Sequence, residues 1–229
     1  MKDFSLIRLR NVSKSFGDKD ILNEIRLDIK KGDMIGLVGE SGAGKTTLLK
    51  LIIGFLEPDK GDISFGLQKK DSEKMGCFGF STQEKSFYSR LTINENLVYF
   101  AALHDIPKSL LDENINNVLK CVGLDNEKDV IAKNLSQGMQ KRLDIACSII
   151  HDPNILIFDE PTADMDPVLK KQIWSLIKDL NKENNKTIIV SSHDPKELFA
   201  VCDRIFLISS RKIKEIKGMK KNISKIYEG

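Results

Sequence analysis

Cysteine is scarce in this 229-residue chain, and its four copies are scattered. Cys77, Cys121, Cys147 and Cys202 form no C-x-x-C pair, and their spacing indicates neither a disulfide framework nor a zinc site. We expect four buried, reduced thiols with no functional role.

An excess of charge of one sign and long apolar runs are also missing. The 36 basic residues against 33 acidic residues give a formal net charge of +3, which provides no electrostatic case for nucleic acid as a partner. No apolar run is long enough to span a bilayer, and the start of the chain, residues 1–4, lacks a signal-peptide core. We therefore expect a cytoplasmic chain, whose length fits a single domain.

Glycine, by contrast, is concentrated in one stretch that has the spacing G-x-x-x-x-G-K-T. It lies between an apolar run at 34–38 and a helical pattern at 48–53, and strand, loop and helix are the context that a phosphate-binding loop needs. Glycines permit positive φ, so backbone N–H groups can turn inward around phosphates at the start of a helix. A glycine-rich turn without a ligand is the alternative. The residues expected to contact the phosphates are Gly39, Ser41, Gly42, Ala43, Gly44, Lys45, Thr46 and Thr47.

Two residues of this loop have side-chain roles in the prediction. Lys45 is expected to reach the β and γ phosphates of a nucleoside triphosphate. The Thr46 hydroxyl is expected to complete a Mg²⁺ shell, because a hard cation takes oxygen ligands.

Two acids end a continuously apolar strand at 155–158, and parallel sheets bind ligands at the carboxyl ends of their strands. Asp159 could hold Mg²⁺, usually through water, and Glu160 could orient and deprotonate the attacking water. A polar turn is the alternative. His193 follows the next predicted strand, 186–190, where it could bond the γ-phosphate or be a solvated loop histidine.

Apolar residues alternate at 7–10 and again at 23–30, and this alternation predicts two half-buried strands. Phe16 lies in the turn between them. On periodicity alone, it either stacks on a nucleotide base or packs in the core.

An apolar run at 75–80 predicts a buried strand, and helical patterns then fill the middle of the chain. Thr92 and Glu95 form a capping box that begins one helix, and a second helix ends at Gly123. The apolar residues that this second helix is expected to bury on one face are Leu110, Leu111, Ile115, Val118, Leu119 and Val122. The predicted fold class is therefore α/β, with a P-loop core containing a mainly parallel sheet, an N-terminal antiparallel β subdomain and an inserted α-helical subdomain. We expect residues 1–229 to form one domain, with the helical subdomain at about 84–152.

Ser136 begins a further predicted helix, and with Gly138 it forms a second helix start that could bind an anion. Taken alone, an ordinary Ser-capped helix is the favoured interpretation. The chain then ends in a basic tail, for which a solvated state is favoured over association with an anionic membrane surface. The tail's basic residues are Arg211, Lys212, Lys214, Lys217, Lys220, Lys221 and Lys225.

Taken together and in this order, the motifs resemble the ATP-binding subunit of an ABC transporter. The resemblance rests on the glycine-rich loop, Gln83, the signature 135–139, Asp159–Glu160, the segment 163–166 and His193. It implies that Phe16 stacks on adenine, that Gln83 senses Mg²⁺ and water, and that His193 is the switch histidine.

The resemblance also implies partners. Two ATP-binding subunits, identical or paralogous, would pair head to tail around two ATP molecules. Each ATP would lie between the glycine-rich loop of one copy and Ser136 and Gly138 of the other. Residues 84–92 would contact an integral membrane permease, which would hold the chain on the inner face of the cell membrane.

Three residues depart from the family pattern. Gln137 replaces the usual second glycine of the signature, Met139 replaces its usual glutamine, and Asp164 places a carboxylate where a small or neutral residue is usual. The segments 83–88, 91–97 and 135–139 most resemble cassettes of the ABC-2 export type.

Two other function classes compete with this interpretation. One is a soluble, non-transport ABC ATPase, such as an iron–sulfur cluster assembly subunit. The other is a nucleotide-dependent regulatory module without turnover, against which Glu160 and His193 both argue.

Overall fold

The computed structural model describes residues 5–66 and 77–216. Several predicted features lie outside these ranges: Met75 and Gly76, which begin a predicted strand, and the lysines of the tail beyond 216. Among the described residues, no helix is both long enough and apolar enough to cross a membrane.

A six-stranded sheet forms the centre of the molecule, in the order β5-β6-β7-β3-β8-β9. Every neighbouring pair is parallel except β8 with β9. The strands β3, β6 and β7 are buried at every position, as parallel strands covered on both faces are. The bounds are β3 Met34–Val38, β5 Phe78–Ser81, β6 Ile155–Asp159, β7 Thr187–Ser192, β8 Arg204–Ser209 and β9 Lys212–Glu215.

The strand β9 is a correction to the predicted basic tail. Lys212 and Lys214 belong to an edge strand that pairs antiparallel with β8, and Ile213 between them packs against the core. Lysines on an edge strand discourage pairing with another chain, so their charge has a structural explanation. The first part of the basic segment is therefore not a solvated tail.

A separate antiparallel sheet covers part of the molecule, in the order β2-β1-β4. Its strands are β1 Ser5–Phe16, β2 Lys19–Lys30 and β4 Lys60–Phe65. The predicted N-terminal antiparallel β subdomain is confirmed, and its two long strands extend well beyond the predicted alternating segments.

Two apolar cores lie on opposite faces of the central sheet. Side chains of β6 alternate between them: Leu156 and Phe158 join one core, and Ile155 and Ile157 join the other. The first core is closed by α2 Ile93–Leu103, α3 Lys108–Val122, α4 Gln137–Ile149, α5 Pro167–Lys182 and α6 Pro195–Val201. The second core is closed by α1 Lys45–Ile52 and the antiparallel sheet.

The predicted helix ends are present. The Thr92 hydroxyl accepts a hydrogen bond from the Glu95 amide at 3.1 Å, and the Glu95 carboxylate accepts one from the Thr92 amide at 2.8 Å. Gly123 closes α3 with φ 66°. One predicted core position of α3 is wrong, because Leu110 in its first turn is 47% exposed.

The cysteine prediction holds only in part. None of the four cysteines, all of which lie in the described ranges, forms a disulfide. Cys77 and Cys147 are buried, but Cys202 is half-buried and Cys121 is exposed. Cys121 belongs to α3 but not to the side of that helix that carries Ile115, Leu119 and Val122 into the core.

Candidate functional site

The backbone of the glycine-rich loop requires its glycines. Gly42 and Gly44 have φ 80° and 104°, and Gly44 is the N-cap of α1. A Cβ at Gly39 would lie 2.6 Å from the backbone oxygen of Ile208 in β8, and one at Gly44 would lie 3.0 Å from a methyl group of Ile21 in β2. The loop is therefore held tightly between β8 and the antiparallel sheet, at the start of a helix where N–H groups are unpaired.

Lys45 folds back over the loop that precedes it. Its ammonium donates to the backbone oxygens of Gly39 at 2.8 Å and Glu40 at 3.2 Å, and it lies 3.1 Å from Oε1 of Glu160. The residue is only 5% exposed. A buried cation beside a helix start is placed to meet an anionic group.

Asp159, at the end of β6, joins two neighbouring elements. The hydroxyl of Thr46 donates to its Oδ2 at 2.6 Å, and the hydroxyl of Ser191 donates to its Oδ1 at 2.5 Å. A threonine hydroxyl and a carboxylate side by side are oxygen donors of the kind that Mg²⁺ prefers. Among residues 5–66 and 77–216, no three His, Cys, Asp or Glu side chains cluster as a metal cage. The residues thus fit a Mg²⁺ that takes its other ligands from phosphates and water.

Glu160 stands next to this pair in a sparsely populated backbone conformation, with φ 48°. Its amide donates to the Ser191 hydroxyl at 2.9 Å, and its Oε2 lies 2.8 Å from Nδ1 of His193. Burial raises the pKa of Glu160, but the hydrogen bonds and charge interactions with His193 and Lys45 together outweigh burial, so the net pKa lies below its ordinary value. The carboxylate form is therefore favoured, as a general base requires.

The loop that carries Gln83 meets Glu160 across a polar cleft. Gln83 is exposed and lines the cleft together with Glu160, Gln137 and Asp164. The structure thus brings together the loop after β5, the strand end of β6 and the start of α4.

Phe16 ends β1 and is 50% exposed, so the core interpretation left open by the sequence is wrong. Its ring lies 5.7 Å from the ammonium of Lys14. The β1–β2 hairpin that carries it also supplies Ile21, whose methyl group would lie 3.0 Å from a Cβ at Gly44. The hairpin therefore lies against the glycine-rich loop at Gly44, and it carries an exposed aromatic ring.

The signature residues lie at the start of α4. Ser136 caps this helix by accepting a hydrogen bond from the Met139 amide at 3.3 Å. A Cβ at Gly138 would lie 2.8 Å from a methyl group of Leu169, so α4 and α5 approach closely there. Within the described part of the chain, no hydrogen bond joins 135–139 to 39–47.

Two of the departures from the family pattern meet in space. The side-chain amide of Gln137 donates to the backbone oxygen of Asp164 at 3.1 Å, and Asp164 has φ 58°. Gln137 therefore ties the start of α4 to the segment that follows Glu160. Asp164 is exposed, which limits the cost of its charge.

Known proteins resemble this chain over most of its length. The family model described as "ABC transporter" matches residues 22–163, more than half of the chain. An uncharacterized ABC transporter ATP-binding protein, YdbJ of Bacillus subtilis, is 35% identical over 212 residues, which are 91% of this chain and 68% of that protein. The chain belongs to the ABC transporter family of ATP-binding proteins.

Other relatives of this cassette differ in what their names say they transport. The Nod factor export ATP-binding protein I of Sinorhizobium fredii is 36% identical over 91% of this chain and 62% of its own length. Spermidine/putrescine import ATP-binding proteins match at 32–33% identity. The chain thus spans less than two thirds of some relatives.

A solved structure extends the likeness to the fold. The dimeric post-hydrolysis state of the ATP-binding cassette MJ0796, bound to ADP and Pi, has a TM-score of 0.79 and 26% identity, and the match covers 92% of this chain and 98% of that one. The predicted P-loop α/β fold is confirmed, and the chain is an ATP-binding cassette with ATPase activity.

The sequence missed three side chains around the site, of which Ser191 and Asp144 are buried and Glu197 is 12% exposed. Ser191, which donates to Asp159, follows the predicted strand 186–190, just as Asp159 follows the apolar run 155–158. Its position at a strand end could therefore have indicated Ser191 as a site residue. Asp144 is a lone acid among the apolar positions of α4, and this placement could have indicated a buried, paired carboxylate. Glu197 lies on α6, and nothing in its local sequence indicates the contacts it makes.

Proposed function

We propose that this cassette pairs with a second ATP-binding subunit around two ATP molecules and drives substrate movement by a separate membrane permease, in the export direction. One observation carries the proposal. Lys45, Asp159, Glu160 and His193 converge around one phosphate loop, whereas the signature residues make no hydrogen bond to that loop within the described chain. The signature has the helix start of an anion-binding site, but it makes no hydrogen bond to the phosphate loop of its own chain. It is therefore suited to complete the ATP site of a second copy.

Within one copy, Phe16 would stack on adenine, and the backbone from Gly39 to Thr47 would hold the phosphates. Lys45 would exchange its carbonyl and Glu160 contacts for the β and γ phosphates. This exchange would release Glu160 to act on water.

Thr46 and Asp159 would hold Mg²⁺, with Gln83 sensing it and the attacking water from across the cleft. The ion, when bound, supplies neutralisation of the phosphate charge. Glu160 would orient and deprotonate the water, and His193 would hold Glu160 and contact the γ-phosphate.

The signature would act on the other copy. Ser136 and Gly138 would meet the γ-phosphate held by the partner's loop, a contact that ADP cannot offer. ATP would therefore favour the closed pair, and hydrolysis would release it. The pair would be either a homodimer or a paralogous heterodimer.

We keep the predicted organisation as part of this proposal. Residues 1–229 form one nucleotide-binding domain with a helical subdomain at about 84–152, and 84–92 contact the permease. The chain would then lie in the cytoplasm on the inner face of the membrane. No role for nucleic acid is proposed.

A soluble, non-transport ABC ATPase, such as an iron–sulfur cluster assembly subunit, is the second candidate. Affinity purification from native membranes separates the two. Recovery of an integral membrane protein in stoichiometric amount supports the transporter subunit, and recovery of only soluble partners supports the alternative.

Glu160→Gln tests the proposed mechanism. The variant should bind ATP, lose turnover and accumulate as a dimer with ATP and Mg²⁺, because only the base is removed. Light scattering measures the mass, with Glu113→Gln on the exposed side of α3 as the matched control that keeps turnover. A Glu160→Gln variant that stays monomeric with ATP and Mg²⁺ argues against the paired site.

A further inference from the structure

One carboxylate behind the site contacts both of the turns that carry the proposed catalytic pair. Glu197 in α6 is 12% exposed at its side chain. Its Oε2 accepts hydrogen bonds from the Thr162 hydroxyl at 2.7 Å, the Trp174 indole N–H at 3.2 Å and the Ser192 hydroxyl at a longer 3.4 Å. Its Oε1 pairs with the Lys170 ammonium at 2.7 Å.

Two of these partners lie close in sequence to Glu160 and His193. Thr162 lies two residues after Glu160 and is 2% exposed, so it is a fixed part of the turn that follows β6. Ser192 directly precedes His193, and its hydroxyl also accepts a hydrogen bond from the Asp194 amide at 3.0 Å. Glu197 therefore contacts a residue close in sequence to Glu160 and a residue next to His193. It takes no part in the hydrogen bond between Glu160 and His193.

The charge of Glu197 is suited to this arrangement. Burial raises the pKa of its carboxyl, but the hydrogen bonds from Lys170, Thr162 and Trp174 together with the charge of Lys170 outweigh burial, and the net pKa lies below its ordinary value. The largely buried carboxylate thus has four donors, which come from the turn after β6, from the end of β7 and from α5. Such a network constrains the relative positions of the groups that it joins.

The site has a specific need for such support. Glu160 has φ 48°, a conformation that costs free energy and persists only where the surrounding structure holds it. His193 is 58% exposed at its side chain and lies in the turn between β7 and α6. Without an anchor behind them, the two turns could drift apart, and a shift of about 1 Å at a catalytic group can cost about 100-fold in rate.

We propose that Glu197 is a positioning residue for ATP hydrolysis, which holds the turn at Thr162 and the end of β7 at Ser192 together so that His193 stays in hydrogen-bond contact with Glu160. The inference rests on the proposed function, because it assigns Glu197 to the support of that same site. The indole of Trp174, which is 6% exposed, is a donor to this carboxylate as well as a core side chain.

Glu197→Gln is the first test, since it keeps the shape and removes the charge. We expect kcat to fall between about 10- and 100-fold while the KM for ATP stays within about twofold, because nucleotide contacts are untouched. The matched control is Glu215→Gln, which breaks the 3.0 Å ion pair with Arg204 at the far edge of the sheet and should leave kcat unchanged.

A double-mutant cycle with His193→Ala separates positioning from mere stability. If Glu197 acts through the Glu160–His193 pair, Glu197→Gln should cost less than about threefold in a chain that already lacks His193. A full, additive loss in that background would overturn the inference.

Thr162→Val and Ser192→Ala keep the inference testable if Glu197→Gln fails to fold. Both leave the Lys170–Glu197 pair intact, and together they should reproduce the fall in kcat at unchanged KM. Unchanged kcat in this double variant would contradict the inference. A wild-type chain without ATPase activity, or a Glu160→Gln variant without an ATP-dependent dimer, would instead refute the proposed function itself.

Discussion

Nδ1 of His193 lies 2.8 Å from Oε2 of Glu160, while the other oxygen of the same carboxylate lies 3.1 Å from the Lys45 ammonium. The two partners come from different elements, one from the turn after β7 and the other from the first turn of α1. In the proposed mechanism, phosphate would draw Lys45 away from Glu160, while His193 would keep its hydrogen bond to this carboxylate. ATP binding would then release Glu160 to act as a base.

Replacement of His193 by alanine should slow hydrolysis without a comparable loss of ATP binding. The hydrogen bond from His193 lowers the pKa of Glu160, so its removal raises that pKa and moves the acidic limb of the kcat–pH profile to higher pH. We expect kcat at neutral pH to fall by about 100-fold or more. Steady-state kinetics across pH measures both effects.

Lys196→Ala is the control for this prediction. Lys196 is exposed on α6 three residues after His193, and its loss should leave the pH profile in place. A His193→Ala variant with the wild-type profile would separate the histidine from Glu160 in function.

The buried carboxylate of Asp144 should be a strong determinant of stability. It is 2% exposed and accepts from the Ser81 hydroxyl, from the Ser86 amide at 2.9 Å and from the Lys141 ammonium at 3.0 Å. Asp144→Ala leaves the Ser81 hydroxyl and the Ser86 amide without this acceptor. It also removes the counter-charge of the Lys141 ammonium, whose side chain is 10% exposed and which keeps its hydrogen bonds to Ser81 and Thr82. We expect the free energy of unfolding to fall by about 3–5 kcal/mol. Urea unfolding followed by circular dichroism measures the change.

Asp152→Asn provides the contrast for Asp144. Asp152 also pairs with a lysine, Lys186 at 2.5 Å, but its side chain is 87% exposed. The loss should be less than about 1 kcal/mol. Equal losses at both sites would show that the burial of Asp144 does not govern its contribution.

Acid should destabilise the fold through the histidine pair His104 and His151. Their rings stack with centroids 3.5 Å apart, and among the described residues Nδ1 of His151 is a buried polar atom without a hydrogen-bond partner. Burial, helped by the neighbouring His104, lowers the pKa of His151 to about 4.

The direction of the effect follows from the lowered pKa. The unfolded chain takes up a proton on His151 near pH ~6.5, whereas the folded chain resists it down to about 4, so stability falls as the pH drops through that window. In His151→Gln this fall should be shallower. Unfolding midpoints from pH 7 to 4 measure it, and parallel curves for wild type and variant would exclude His151 as a cause.

The sequence was sufficient wherever a short motif determines a local structure. The capping box at Thr92 and Glu95, the αL residue Gly123 and the apolar strand before Asp159 each depend on neighbours within a few residues, and each is present in the structure. The family motifs placed the glycine-rich loop by the same logic.

The contacts that organise the site are long-range, and the sequence could not supply them. Ser191 bonds a residue 32 positions away, and Glu197 reaches Thr162 from 35 positions away. Periodicity also misplaced one residue. The apolar pattern predicted Leu110 in the core, but its side chain is exposed in the first turn of α3. The charge of Lys212 and Lys214 favours a solvated tail. A β-strand at the edge of a sheet also tolerates lysine, so charge alone could not distinguish the two.

The most direct test of the account is whether one ATP site is built from two copies. In the Glu160→Gln background, a Lys45→Ala chain lacks a phosphate contact and a Ser136→Arg chain lacks the signature contact, so neither alone should dimerise with ATP and Mg²⁺. Mixed, they can form one composite site that carries neither lesion, and light scattering should detect an ATP-dependent dimer. A mixture that stays as monomeric as the separate variants would contradict the paired site and place the whole ATP site within one chain.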